Sequence, residues 1–174
     1  TGSGTSGPFL VQINASSNAD GTSPSGTSDF QFPAGTFATN PSLTALHGDV
    51  SAGCVVRNGS TVDVVGRLPA NEQWTTEIPP GSGTFRTLEW VGARIVDQGP
   101  ATPSPVDLAR GAALFSATGA GICAGDGWPS APPPTPLASG DFAVTSPFND
   151  SNGDGIVQSL QPSGTLTGSF RDVG

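Results

Sequence analysis

The chain has 174 residues and 17.3 kDa, with six arginines, no lysine, fourteen acidic residues and a net charge of −8. Without lysine there is no Schiff base, no P-loop lysine and no Lys–Asn isopeptide staple, and the acidic balance offers no electrostatic footprint for nucleic acid. Charged residues make up only 11% while Gly and Pro number 25 and 17, which describes a loop-rich globular domain with one core, and no apolar run approaches the 18 residues that span a bilayer.

Residues 1–29 read as an extended arm, because TGSGTSG and ASSNADGTSPSGTSD hold almost nothing to bury. Within it Phe9, Val11 and Ile13 alternate at period two, predicting a strand over 9–13 with one apolar face. That strand is either the first of the domain or one donated to the open sheet of a neighbouring subunit by β-augmentation, which makes Phe9, Val11 and Ile13 the candidate subunit contact. Residues 30–174 form the body.

Short apolar runs separated by turn residues predict strands near 29–34, 43–57, 60–68, 73–78, 84–97, 141–146, 156–160 and 165–171. Asn58-Gly59 suits a two-residue type I′ turn that sets Arg57 opposite Ser60 and Val55 opposite Val62. In 84–97, Phe85, Glu89, Val91, Ala93 and Ile95 share one parity, so Glu89 either points inward or is a structural partner of Arg86 or Arg94 or a solvated position. Ser104-Pro105-Val106-Asp107 carries the cap and first-turn signals of a helix over 105–117, which Gly119 would end. Residues 128–136, rich in proline, form a stiff polyproline-like connection. The fold class is all-β, a β-sandwich of jelly-roll or Ig-like kind with that one short helix and long Pro/Gly-rich loops.

Cys54 and Cys123 stand too far apart for a CxxC motif, leaving one long-range disulfide or two buried thiols. The Ser/Thr/Gly/Pro-rich composition and the missing initiator Met, taken as signal-peptide removal, favour an oxidising compartment and hence the bridge. Asn14, Asn58 and Asn149 begin N-glycosylation triplets, although a chain this rich in Ser and Thr produces such triplets by chance.

Asp150-Ser151-Asn152-Gly153-Asp154-Gly155-Ile156 resembles the calcium loops of EF-hands, dockerins and thrombospondin type 3 repeats. The resemblance implies side-chain oxygens from Asp150, Asn152 and Asp154, the carbonyl of Ile156, and Gln158 through water, around Ca2+. Gln161 stands where the EF-hand has a bidentate Glu, which implies weak binding.

Other chemistry is thinly represented. His47, Asp49 and Ser51 lie too close in sequence to imply a triad. Glu77 and Glu89, with Asp63 or Asp97, are the candidate carboxylates of a glycoside hydrolase. Trp74, Trp90 and Trp128 are candidates for a sugar-stacking platform.

The expectation is a non-enzymatic, secreted, extracellular or cell-surface subunit of a self-assembling filament or pilus whose partners are copies of itself and possible glycans, with no nucleic acid and no membrane insertion. The alternatives are a calcium-stabilised carbohydrate-binding or adhesion module and a virion coat or decoration protein.

Overall fold

Alternation of apolar and polar side chains decides most of the strands. The computed structural model describes residues 3–6, 9–18, 22–58, 61–96, 108–124, 128, 134–136 and 164–168. The elements are β1 Ser3–Ser6, β2 Phe9–Ser16, β3 Ser25–Gln31, β4 Ala45–Asn58, β5 Thr61–Arg67, β6 Trp74–Glu77, β7 Phe85–Val96, β8 Leu108–Phe115, α1 Ser116–Cys123, β9 Thr135–Pro136 and β10 Gly164–Gly168. The fold is all-β. Every described strand belongs to one sheet ordered β1-β2-β3-β4-β5-β7-β8-β9, with β10 paired to β2 and β6 to β7, and all pairings are antiparallel.

The sheet curls, bringing β3 near β5 and β4 near β7 although they are not hydrogen-bonded neighbours. Its concave face holds the larger core, in which Val11 and Ile13 of β2, Phe30 of β3, Leu46 and Val50 of β4, Val62 and Val64 of β5 and Val91, Ala93 and Ile95 of β7 are buried together. Each large side chain in such a core stabilises the fold by roughly 1.5–3 kcal/mol. The convex face holds a second cluster, Cys54, Val65, Ala112 and Leu114 of the sheet with Ile122 of α1 and Trp128 laid over them. β5 and β7 are therefore covered on both faces, as their valine-rich sequences require.

Two irregularities shape this sheet. β4 advances from Asp49 to Cys54 while β5 advances only from Arg67 to Val65, which bends the long strand. β7 advances from Leu88 to Trp90 while β8 moves only from Phe115 to Leu114, so Glu89 is the extra residue of a bulge. The bulge reverses parity: Leu88 is buried before it, Val91, Ala93 and Ile95 after it. Phe85, expected inside on the parity of Val91, is 68% exposed as a result.

The sequence-based elements need three corrections. The helix expected over 105–117 is instead β8 followed by α1 at Ser116–Cys123. Pairing with β7 supplies the backbone partners of Leu108–Phe115, and Arg110, Ala112 and Leu114 alternate onto the convex face, so tertiary pairing overrides the local helix signal. Gly119, expected to stop the helix, lies within it. The hairpin after β4 is two residues out of the expected register, which keeps the same faces: Asn58 faces Thr61, Arg57 faces Val62 and Val55 faces Val64. The observed register sets Val55 beside Val64. Finally, the boundary drawn at 29/30 falls inside β3, whose residues 27–31 pair with β4. The strands expected at 141–146 and 156–160 lie outside the described residues.

Candidate functional site

On the convex face, ladder pairing aligns Thr27, Asp49, Arg67, Trp90 and Leu114 in one row across β3, β4, β5, β7 and β8. Beside it Asp29 faces His47. Several ionisable side chains gather here, and each has a local partner. The Glu72 carboxylate accepts the backbone N–H of His47 at 2.7 Å and contacts its Nδ1 at 2.5 Å, fastening the connection after β5 to β4. Ser51 donates both its N–H and its hydroxyl to Asp49 Oδ1. Arg67 lies 5.7 Å from the Trp90 ring centre and 3.6 Å from the Glu89 carboxylate.

Such an arrangement organises strands but does not assemble a nucleophile. His47 and Ser51 are four residues apart on one strand, about 13 Å at the strand rise, and the Ser51 hydroxyl is turned toward Asp49.

The proposed hydrolase carboxylates are equally dispersed. Asp63 on β5 accepts two hydrogen bonds from Arg94 on β7, Nε to Oδ1 and NH2 to Oδ2, both 2.7 Å. That pairing holds the Arg94 guanidinium above its ordinary pKa, and Arg94 also stacks 5.8 Å from the Trp128 ring centre. Glu77, at the end of β6, accepts N–H bonds from Gly81 and Gly83 in the turn before β7. These two amides, Gly81 first, hold its carboxyl below its ordinary value of 4.5. Glu89 is turned by the bulge toward Arg67, a different arginine from the Arg86 or Arg94 expected. Asp97 lies outside the described residues.

The tryptophans form no exposed sugar platform. Trp74 donates to Thr39 Oγ1 at 3.2 Å and packs edge-on against Phe37. Trp90 lies under Gly119 of α1. Trp128 is buried, with Arg94 over its ring. An indole must lie open to stack on a sugar ring, and these are committed to packing.

Cys54 and Cys123 are joined, Cα to Cα 5.4 Å, which ties β4 to the end of α1. The helix needs this. It has eight residues, two of them glycine, with no side-chain N-cap and no charged residue placed against its dipole, so its own propensity cannot sustain it.

The remaining sequence candidates divide simply. Val11 and Ile13, candidate subunit contacts, are fully buried in the core of their own chain, and β2 pairs with β3 of that chain. Phe9 begins β2, opposite Ser6. Asn14 is exposed on β2, and Asn58 ends β4 opposite Thr61. Asp150, Asn152, Asp154, Ile156, Gln158 and Asn149 lie outside the described residues. Among the described residues no cluster of three or more His, Cys, Asp or Glu is arranged for a metal ion, and no helix is long and apolar enough to cross a membrane.

Sequence reasoning missed Glu72 as the partner of His47 and Asp63 as the partner of Arg94. A signal existed for the second pair: Asp63 is a lone acid in Thr-Val-Asp-Val-Val, and Arg94 is a lone base in Val-Gly-Ala-Arg-Ile-Val. Isolated opposite charges on two valine-rich strands are what a cross-strand ion pair requires. No protein-family model, curated protein or solved structure matches the chain.

Proposed function

We propose that the chain is a non-enzymatic structural subunit of an extracellular or cell-surface assembly, a filament or pilus built from copies of itself. One observation carries the reading. Asp63, Glu72, Glu77 and Glu89 are each engaged by a separate structural partner, so the described carboxylates serve strand pairing and turns. In this reading the curled sheet acts as a β-sandwich-like body, and the Cys54–Cys123 bridge belongs to an oxidising compartment. Calcium on the 150–158 loop is part of the same proposal. Binding to the native state there raises the melting temperature in millimolar calcium relative to chelator, and Asp154→Ala abolishes the difference.

The test is particle size. Secreted, unreduced protein is concentrated and viewed by negative stain. Filaments or regular multimers are expected, and a chain that remains monomeric at every concentration overturns the assembly reading.

A further inference from the structure

α1 has little to hold it against the sheet apart from one covalent bond. Its residues Ser116–Cys123 include Gly119 and Gly121, carry no side-chain N-cap, and bury only Gly119 and Ile122. A helix of this length is marginal in water, and each glycine weakens it further. Its one large apolar anchor is Ile122, and the next residue is bonded to Cys54 of β4.

What α1 covers does not favour closure either. Gly119 lies on the five-membered ring of the Trp90 indole, where a Cβ built on the glycine falls 2.5 Å from Cγ and 2.6 Å from Cδ1. The same ring carries Nε1, which is buried and has no hydrogen-bond partner among the described residues. A buried donor left unpaired bears its full desolvation penalty, and water supplies the missing acceptor once the helix lifts. The closed position thus combines a weak helix with an unmet donor, and the bridge offsets both.

The sheet beneath does not share this dependence. Its larger core lies on the concave face and contains no residue of α1. On the convex face Trp128 keeps its own seat over Gly92, with Arg94 stacked on its ring and paired to Asp63. Departure of α1 is therefore a local opening that leaves strand pairing in place.

We propose that the Cys54–Cys123 bridge is a thiol-operated clasp: reduction by an external dithiol frees α1 from the convex face and opens Trp90 to solvent while the sheet stays folded. Cys54 is 7% exposed and Cys123 is half-buried, so a thiolate of the dithiol attacks Cys123 Sγ. A mixed disulfide forms there, the bond to Cys54 Sγ breaks, and Cys54 leaves as a thiolate that takes up a proton. The second thiol of the reagent then attacks the reagent's own sulfur in the mixed disulfide, which releases Cys123 and closes the reagent into a disulfide. Two electrons and two protons pass from the dithiol to the two cysteines, and reoxidation reverses the change. The clasp operates within a single chain, whether or not copies assemble.

The experiment treats the oxidised full chain with dithiothreitol under native conditions and follows thiol titration beside amide hydrogen exchange. Two thiols per chain are expected, with exchange across α1 faster by about tenfold or more while residues 62–65 and 91–95 stay protected. Reoxidation should restore the protection of α1. Trp90→Phe keeps a ring under Gly119 and removes the donor, so its reduced form should open about tenfold less. No thiol released from the folded chain, or unchanged exchange across α1 after both thiols appear, overturns the clasp. Loss of protection in β5 and β7 together with α1 overturns it as well, because the bridge then holds the whole fold. Equal opening in Trp90→Phe overturns the part given to the indole donor.

Discussion

Gly119 of α1 rests on the indole of Trp90, so closely that a Cβ built on the glycine falls 2.5 Å from Trp90 Cγ. Helix propensity alone favours Gly119→Ala by about 1 kcal/mol. Steric overlap with a ring held between α1 and Arg67 opposes it, and overpacking of this kind costs about 1–3 kcal/mol. The expected outcome is a net loss of stability together with altered tryptophan fluorescence. A thermal melt decides it by sign, because a rise in melting temperature means that the helix lifts away without penalty.

The Cys54–Cys123 bridge closes a loop across 69 positions, which in the chain-entropy treatment contributes about 4 kcal/mol. Titration of unfolded, unreduced protein should find no thiol. The double variant Cys54→Ala, Cys123→Ala should lose a comparable stability in urea unfolding, with α1 the first element to lose amide protection in hydrogen exchange. Protection of α1 equal to that of the wild type would mean that the packing of Ile122 and Gly119 holds it unaided.

Asp63 and Arg94 are a bidentate pair with side chains 10% and 26% exposed. Asp63→Ala leaves a guanidinium without its carboxylate and should cost about 2–4 kcal/mol, less than for a fully buried pair because water still reaches Arg94. The double replacement Asp63→Leu, Arg94→Leu should be less destabilising than Asp63→Ala. Denaturant melts of the wild type and the two variants form the comparison, and a double variant that loses more than Asp63→Ala would show that the unpaired guanidinium carries no penalty.

Glu77 supplies a pH dependence of definite sign. Its folded-state pKa lies below the ordinary value because the charged carboxylate accepts amide bonds from Gly81 and Gly83. Its contribution is present above the unfolded-state pKa and is lost as pH falls through the lowered one. Glu77→Gln should therefore melt below the wild type at about pH 6, and the gap should narrow toward about pH 3. A gap independent of pH would assign the effect to shape rather than charge.

Much of this fold was legible because burial on alternate positions leaves a direct mark. Val11 and Ile13, Val62 and Val64, and Val91, Ala93 and Ile95 advertise their strands, and two solitary cysteines advertise their bridge. What was not legible depends on partners distant in sequence. Nothing local to Glu89 announces a bulge, since the extra residue exists only relative to β8. Leu108–Phe115 carries a sound helix signal and is a strand because β7 has an edge to fill. The gathering of Asp29, His47, Asp49 and Arg67 arises from the register of three strands, and a shift of one residue would have scattered it.

The bridge from β4 to α1 also sets how the molecule bears a mechanical load. Tension applied through the two ends can peel β1, β2 and β3 away, but the residues between Cys54 and Cys123 stay out of the load path while the bond survives. The 69-position separation corresponds to roughly 230–250 Å of fully extended chain withheld from stretching. Pulled singly, the oxidised protein is shorter at full extension by about that length than the reduced one, so thiol chemistry sets how far the chain can yield under tension.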